Sequence, residues 1–208
     1  MIETLWPDVD PPTGRNRLRT VLGRLREVAP EAVMRDGEIL ALGPDVALDL
    51  TKFQADARQA LSLRAADPAA SVAVATSAVA RYRGDLLPDD PYEEWTDAPR
   101  EQATRTMLDL LDLCADAAVA RGDLDEARRS VQRTIELAPY EDDRYLRVAG
   151  ILFRQGRRGA ALSVIRRARS TLASLGLDLP PQLLELQGTI TASSGASAAG
   201  DLGPVGAH

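Results

Sequence analysis

Two stretches of this chain carry the same pattern of small, apolar and glycine positions at an interval of 34 residues, and no other feature restricts the fold as much. The first copy reads Leu111, Cys114, Ala115 and Ala118, then Gly122, Ala127, Val131 and Pro139. The second reads Tyr145, Val148, Ala149 and Leu152, then Gly156, Ala161 and Ile165. Steps of three and four residues put the first four positions of each copy on one helix face. Small residues at the crossing points let two helices approach closely. A glycine after the first helix supplies the left-handed turn that reverses the chain. A helix pair of this kind cannot bury its apolar face alone, so it must stack on neighbours.

The interval and the residue types together are those of tetratricopeptide repeats. They predict a mainly α chain built as an antiparallel helical repeat stack with a concave groove, which is a recognition surface. The groove is expected to be lined by the first helix of each pair, 108–120 and 142–154. Between the packing positions these helices carry Asp109, Asp112, Asp116, Arg144, Arg147 and Arg154. Such mixed charge suits a protein or peptide partner better than nucleic acid, whose phosphates the aspartates would repel.

The residue inventory argues against catalysis. His208 is the only histidine and Cys114 the only cysteine, so His-based triads and His-rich metal sites are not expected, nor is an intrachain disulfide. Cys114 occupies a helix-crossing position and reads as core. No Gly-rich phosphate loop follows a strand. We expect no enzyme activity, no cofactor and no metal. No segment approaches the roughly 18 apolar residues of a membrane span, and Met1 is followed by Ile2-Glu3-Thr4 with no basic leader. The chain therefore reads as cytoplasmic, with no membrane contact.

Charge is unevenly distributed. The net charge is −6, yet residues 13–35 hold six arginines against Glu27 and Glu31. Lys52 is the only lysine, so nearly every cation is a guanidinium suited to forked phosphate or guanine contacts. Within this basic segment, Leu18, Val21, Leu22, Leu25 and Val28 line one face of a predicted helix over 14–29. Asn16, Thr20 and Gly23 point the other way, flanked by Arg17 and Arg24 on one edge and Arg19 and Arg26 on the other. Two short apolar runs follow around the turn pair Asp36-Gly37, which predicts a β-hairpin wing over 32–42 bearing Arg35. A helix followed by a hairpin is the recognition helix and wing of a winged helix-turn-helix. This assigns DNA contact to Asn16, Arg17, Arg19, Thr20, Gly23, Arg24, Arg26 and Arg35.

Further helices are predicted from Thr51, as N-cap, to Ala65, and from Pro68, capped by Asp67, to about Tyr82. A long helix is expected from about Tyr92 to Ala120 with a kink or break at Pro99. Helices starting at Leu124 (capped by Asp123), Glu141, Arg158 and Pro181 follow, the last ending near Thr189. The Gly/Ala/Ser composition beyond it predicts a disordered tail over 192–208.

Taken in order, these residues resemble a known family. The carriers are Leu5-Trp6-Pro7-Asp8, Asn16-x-Leu18 through Leu25-Arg26, and Val46-x-Leu48-Asp49 with Phe53. Next come Ala80-x-Tyr82-x-Gly84-x-Leu86-Leu87 and Arg121-Gly122 with Glu126-Ala127. Pro139-Tyr140-Glu141, Gly156-Arg157 with Ala160-Ala161-Leu162, and Leu175-Gly176-Leu177-x-Leu179-Pro180-Pro181-x-Leu183 complete the series. The series is similar to the bacterial transcriptional activator domain of Streptomyces antibiotic regulatory proteins, including AfsR-like regulators, over about residues 3–190. The resemblance implies an OmpR-type winged helix joined to a tetratricopeptide-like activator domain. The expected division is a partial winged helix over 1–48, the activator domain over 49–191 and the tail over 192–208. A complete winged helix of this type begins with a sheet and two helices, and Met1–Trp6 supplies only the end of the second. The chain thus reads as a fragment of a larger protein or a degenerate version of it.

Two function classes follow. In the first, the chain belongs to a transcription regulator whose complete form binds DNA through the 14–29 helix. Its helical domain then contacts a protein partner, either a neighbouring domain of the parent protein or the transcription machinery. In the second, it is an interaction or signalling scaffold whose winged-helix remnant is structural. The promoter, any effector and the oligomeric state are left open.

Overall fold

The computed structural model describes residues 1–37, 39–89 and 93–199, with side chains as far as Ser193. Among these, helices dominate and one two-stranded antiparallel sheet is present. The N-terminal part consists of a short α1 (Ile2–Leu5), α2 (Pro11–Val28), and the hairpin strands β1 (Val33–Asp36) and β2 (Ile39–Leu42). Helices α3 (Asp49–Leu63), α4 (Pro68–Arg81), α5 (Asp97–Ala120), α6 (Leu124–Leu137), α7 (Asp142–Arg154), α8 (Arg158–Ala173) and α9 (Pro181–Ala199) form the stack.

The two sequence copies become the pairs α5–α6 and α7–α8. All twelve apolar and small positions of the repeat, Leu111 to Val131 and Tyr145 to Ile165, are buried. Gly122 and Gly156 take nearly the same left-handed φ, +77° and +73°. Each end is closed by the same kind of bond: the N–H of Asp123 reaches the carbonyl of Ala118 at 2.9 Å, and that of Arg157 reaches Leu152 at 2.9 Å. The end of α8 repeats the device at Gly176, where the Leu177 N–H bonds to the Leu172 carbonyl at 3.0 Å. Tyr145, fully buried, donates its hydroxyl to the Pro139 carbonyl at 2.7 Å, which ties the exit of α6 to α7.

The stack holds a third helix pair that the repeat interval does not reveal. Ala57 and Ala60 of α3 and Ala75 and Ala78 of α4 are all buried, and Ser71 donates to the Ala60 carbonyl at 2.7 Å. This pair uses the same small-residue contact. It lies out of phase because the connection after α4 runs through residues 82–96. One core unites α3, α4 and α5 as far as Cys114; a second unites the end of α5, from Ala115, with α6 through α9. Helix α5 belongs to both, and its 24 residues span about 36 Å.

Several boundaries differ from expectation for local reasons. Helix α2 starts at Pro11 rather than Gly14, because the Asp10 side chain accepts the Thr13 N–H at 3.1 Å and prolines fit its first two positions. Helix α3 starts at Asp49 rather than after Thr51. Helix α5 starts at Asp97 behind a single 3₁₀ turn, Glu94–Thr96. Pro99 therefore sits in its first turn, where no N–H is missed, and produces no mid-helix kink. The expected start at Tyr92 lies outside the described residues. In the hairpin, Asp36 pairs with Ile39, so Asp36 belongs to the strand rather than to the turn; Gly37 supplies φ +58°. Helix α9 runs to Ala199, past the end expected near Thr189. Its alanines favour helix, and the Thr191 and Ser193 hydroxyls bond back to carbonyls of the same helix. Within 192–199 the tail is thus helical backbone, and residues 200–208 lie outside the described part.

Candidate nucleic-acid and partner surfaces

The eight residues assigned to DNA contact are all exposed. Asn16, Arg17, Arg19, Thr20, Gly23, Arg24 and Arg26 are all exposed on α2, and Arg35 is exposed on β1. Local bonds order part of this surface. Arg19 donates to the Asn16 side chain at 3.0 Å, Thr20 to the Asn16 carbonyl at 3.0 Å, and Arg35 to the Gly37 carbonyl at 2.8 Å. No ion pair is formed by the α2 arginines among the described residues. A Cβ built at Gly23 meets nothing within 4 Å, so that position is open to a large ligand.

The opposite face of α2 is not a closed core. Val21, Leu25 and Val28, which lie on the apolar face of the helix, are 50%, 36% and 86% exposed. Two close approaches shape this unit. A Cβ at Gly14 would lie 2.4 Å from the Ile2 side chain, and one at Gly43 would lie 1.8 Å from the Glu31 carbonyl oxygen. Gly43 also donates its N–H to the Ala32 carbonyl at 2.9 Å, which closes the base of the hairpin. Between α2 and the hairpin lies a cleft with Leu18, Leu22 and Leu40 on its floor and Arg15, Arg19, Arg26 and Arg35 around it. Sequence reasoning missed Arg15 as part of this cationic rim, because the helical wheel gives no position for the hairpin.

The six groove candidates do not form a uniform free surface. Asp112 and Asp116 of α5 pair with Arg144 and Arg147 of α7. Arg144 meets Asp112 at 3.2 Å and Glu141 at 2.6 Å; Arg147 meets Asp116 at 2.8 Å and also binds Asp112. Arg64, just past the end of α3, extends the chain of charges to Asp116 at 3.2 Å. Four of the six residues are therefore engaged within the stack, while Asp109 and Arg154 are exposed. The Arg144 side chain is only 9% exposed. Burial works against its charge, but Asp112 and Glu141 outweigh it and hold the guanidinium above its ordinary value. Alternate helices along a stack share a face, which is why i, i+4 spacing alone could not show that these aspartates and arginines meet.

Cys114 is buried, 3.9 Å from the Thr76 hydroxyl. Burial pushes its thiol up, which is the opposite of an activated nucleophile. No helix among the described residues is long and apolar enough to cross a membrane.

The chain is a helical repeat stack preceded by an arginine-bearing helix and hairpin. Residues 48–191 match the bacterial transcriptional activator domain, and the chain belongs to that family of transcription regulators. A solved structure titled Mycobacterium tuberculosis EmbR in complex with low affinity phosphopeptide has a similar fold. The TM-score is 0.69 at 21% identity, over 96% of this chain and 57% of that one. The chain thus spans little more than half the length of that structure's chain. No curated protein matches it.

Proposed function

We propose that this chain is the activator-domain part of a cytoplasmic, non-enzymatic transcription regulator whose complete form contacts DNA through α2. The observation that carries the reading is the exposed polar face of α2, whose guanidiniums have no ion-pair partner among the described residues in an otherwise acidic chain. Arg17 and Arg24 on one edge and Arg19 and Arg26 on the other suit phosphates and guanine edges, with Asn16, Thr20 and Gly23 between them. Arg35 on the hairpin approaches an adjacent phosphate. The parent protein is expected to bind duplex DNA with a steep salt dependence, since each guanidinium–phosphate contact releases counterions. Replacing Arg19 and Arg24 by alanine in that protein should weaken binding and flatten the salt slope by about one to two units. Affinity unchanged in the double variant removes α2 from the contact surface.

In this reading the helical stack binds a protein partner through the face of α5 and α7. Asp109 and Arg154 offer free charges there, and the paired Asp112, Asp116, Arg144 and Arg147 give that face its shape. Charge reversal at Asp109 and Arg154 should reduce partner binding without changing the melting temperature. Crosslinks confined to the opposite face, at Arg128, Arg133 or Arg166, would refute the groove assignment. The scaffold reading keeps some force from the exposed apolar residues of α2, since an α2 that is held within a larger structure need not touch DNA. Preserved activation after loss of the α2 arginines would favour it.

A further inference from the structure

The start of α3, the end of α4 and the loop that follows enclose a pocket of about 250 Å³. Its floor is apolar: Leu50 and Phe53 from α3, Tyr82 at the end of α4, and Leu86 and Leu87 from the loop. The Phe53 and Tyr82 rings lie 5.5 Å apart at a tilt of 53°, and the Tyr82 hydroxyl is 3.5 Å from that of Thr104. The rim carries two charges of each sign, Arg81 and Arg83 against Asp49 and Asp85. Arg81 leans towards Asp56 at 3.5 Å, and the Asp49 carboxylate accepts the Leu50 N–H at 2.7 Å. Arg83 and Asp85, two residues apart and exposed, form no ion pair among the described residues.

The wall is anchored from two neighbouring helices. Arg100 of α5 donates to the Leu86 and Leu87 carbonyls at 2.7 and 2.8 Å, and Arg133 of α6 donates to the Tyr82 carbonyl at 2.9 Å. Leu87 is fixed at φ +51°, the one non-glycine left-handed residue among those described. Such strain persists only where surrounding bonds over-determine it. Two arginines thus anchor this loop through its backbone carbonyls, with the apolar floor beneath a rim that carries both signs of charge.

We propose that this pocket binds a free apolar α-amino acid of the leucine or phenylalanine class. Its carboxylate meets Arg83, its ammonium meets Asp85, and its side chain lies on Phe53 and Leu87. The pocket is smaller than the roughly 300–1,000 Å³ of drug-sized sites, and a ligand with one cation and one anion matches the rim better than a singly charged one. The pocket is lined by Asp49 and Leu50 from the first turn of α3. The assignment stands apart from the DNA reading and is tested without DNA.

The full chain is titrated with L-phenylalanine, L-leucine, phenethylamine and 3-phenylpropionate up to about 10 mM, which detects a Kd near 1 mM. NMR shifts of the Leu86 and Leu87 methyls and the Phe53 ring report binding. Saturable shifts are expected with both amino acids, and at least about tenfold weaker binding for the two analogues that lack one charge. Arg83→Gln and Asp85→Asn should each weaken phenylalanine to the level of the analogue lacking the matching charge. Both side chains are exposed, so unchanged melting temperatures verify the fold. Equal binding of all four compounds would mean a merely apolar hole, such as takes a side chain of a partner protein, and would overturn the proposal. So would the absence of saturable shifts, or wild-type binding by both variants.

Discussion

Removing the Asp112 carboxylate should destabilise the stack well beyond the loss of a surface ion pair. Asp112 is the meeting point of Arg144 and Arg147, and Arg144 is 9% exposed. In Asp112→Ala, Arg147 keeps Asp116, but Arg144 keeps only Glu141, a half-exposed residue one turn away on its own chain. Stranding a fully buried charge costs about 3–5 kcal/mol. Because Glu141 remains and Asp112 itself is 30% exposed, the expected cost is about 2 kcal/mol. For a domain of this size that is a fall of about 4–8 °C in melting temperature. Arg64→Ala breaks the outer Asp116 contact, where both side chains are more than half exposed. It should cost no more than about 0.5 kcal/mol. The two variants, with Arg144→Ala and the Asp112/Arg144 double variant, are compared by thermal and urea unfolding. The cycle should return a coupling of about 1 kcal/mol or more between Asp112 and Arg144. Equal effects of Asp112→Ala and Arg64→Ala, or a coupling within about 0.3 kcal/mol of zero, would refute the idea that this cluster binds α5 to α7.

Gly122→Ala forces a side chain onto φ +77° and should cost about 1 kcal/mol, read by urea denaturation; Gly150→Ala, in helix with nothing within 4 Å of the new Cβ, should not destabilise. Ile190 is buried at 1%, so Ile190→Ala should cost about 2–4 kcal/mol, whereas truncation after Ser193 should leave the melting temperature unchanged. A fall of several degrees on that truncation would show that the end of α9 packs. The Lys52 hydrogen bond at 2.5 Å, aided by Arg81, holds the buried Asp56 carboxyl below its ordinary value despite the opposing effect of burial. A depressed folded pKa means this contribution is complete above the ordinary aspartate value of about 4 and is lost as pH falls through the lower folded value. Asp56→Asn should therefore flatten the acid limb of a stability–pH curve, and an unchanged limb would count against the assignment.

The pairs α5–α6 and α7–α8 were readable residue by residue. Packing of consecutive helices is a local matter: burial follows from which residues recur on one face, and Gly122 and Gly156 mark turns that few other residues can make. The caps at Asp67 and Asp123 are legible for the same reason, since donor and acceptor lie three residues apart. The pair α3–α4 was legible as helices but not as a repeat, because the 82–96 connection breaks the period. Periodicity also placed Val21, Leu25 and Val28 on one apolar face. A helical wheel identifies an apolar face but not whether anything covers it, and in this structure they stay exposed. The composition beyond Thr189 spoke for disorder, yet helix continues to Ala199 because propensity and hydroxyl back-bonding act within the helix itself.

The candidate surfaces divide along the same line. The cationic face of α2 and the order of helix, hairpin and stack were determined by sequence alone, since they depend on spacing within one element and on chain order. Tertiary structure alone decided that Asp112, Asp116, Arg144 and Arg147 spend their charges on one another, that Arg15 joins Arg35 across a cleft, and that Arg100 and Arg133 anchor the loop of the pocket beside Phe53. Each of these depends on which residues of different helices meet, 31 to 52 positions apart for Arg147–Asp116, Arg144–Asp112, Arg133–Tyr82 and Arg64–Asp116. Such distances are set by the crossing of packed helices, and no local pattern of residues encodes them.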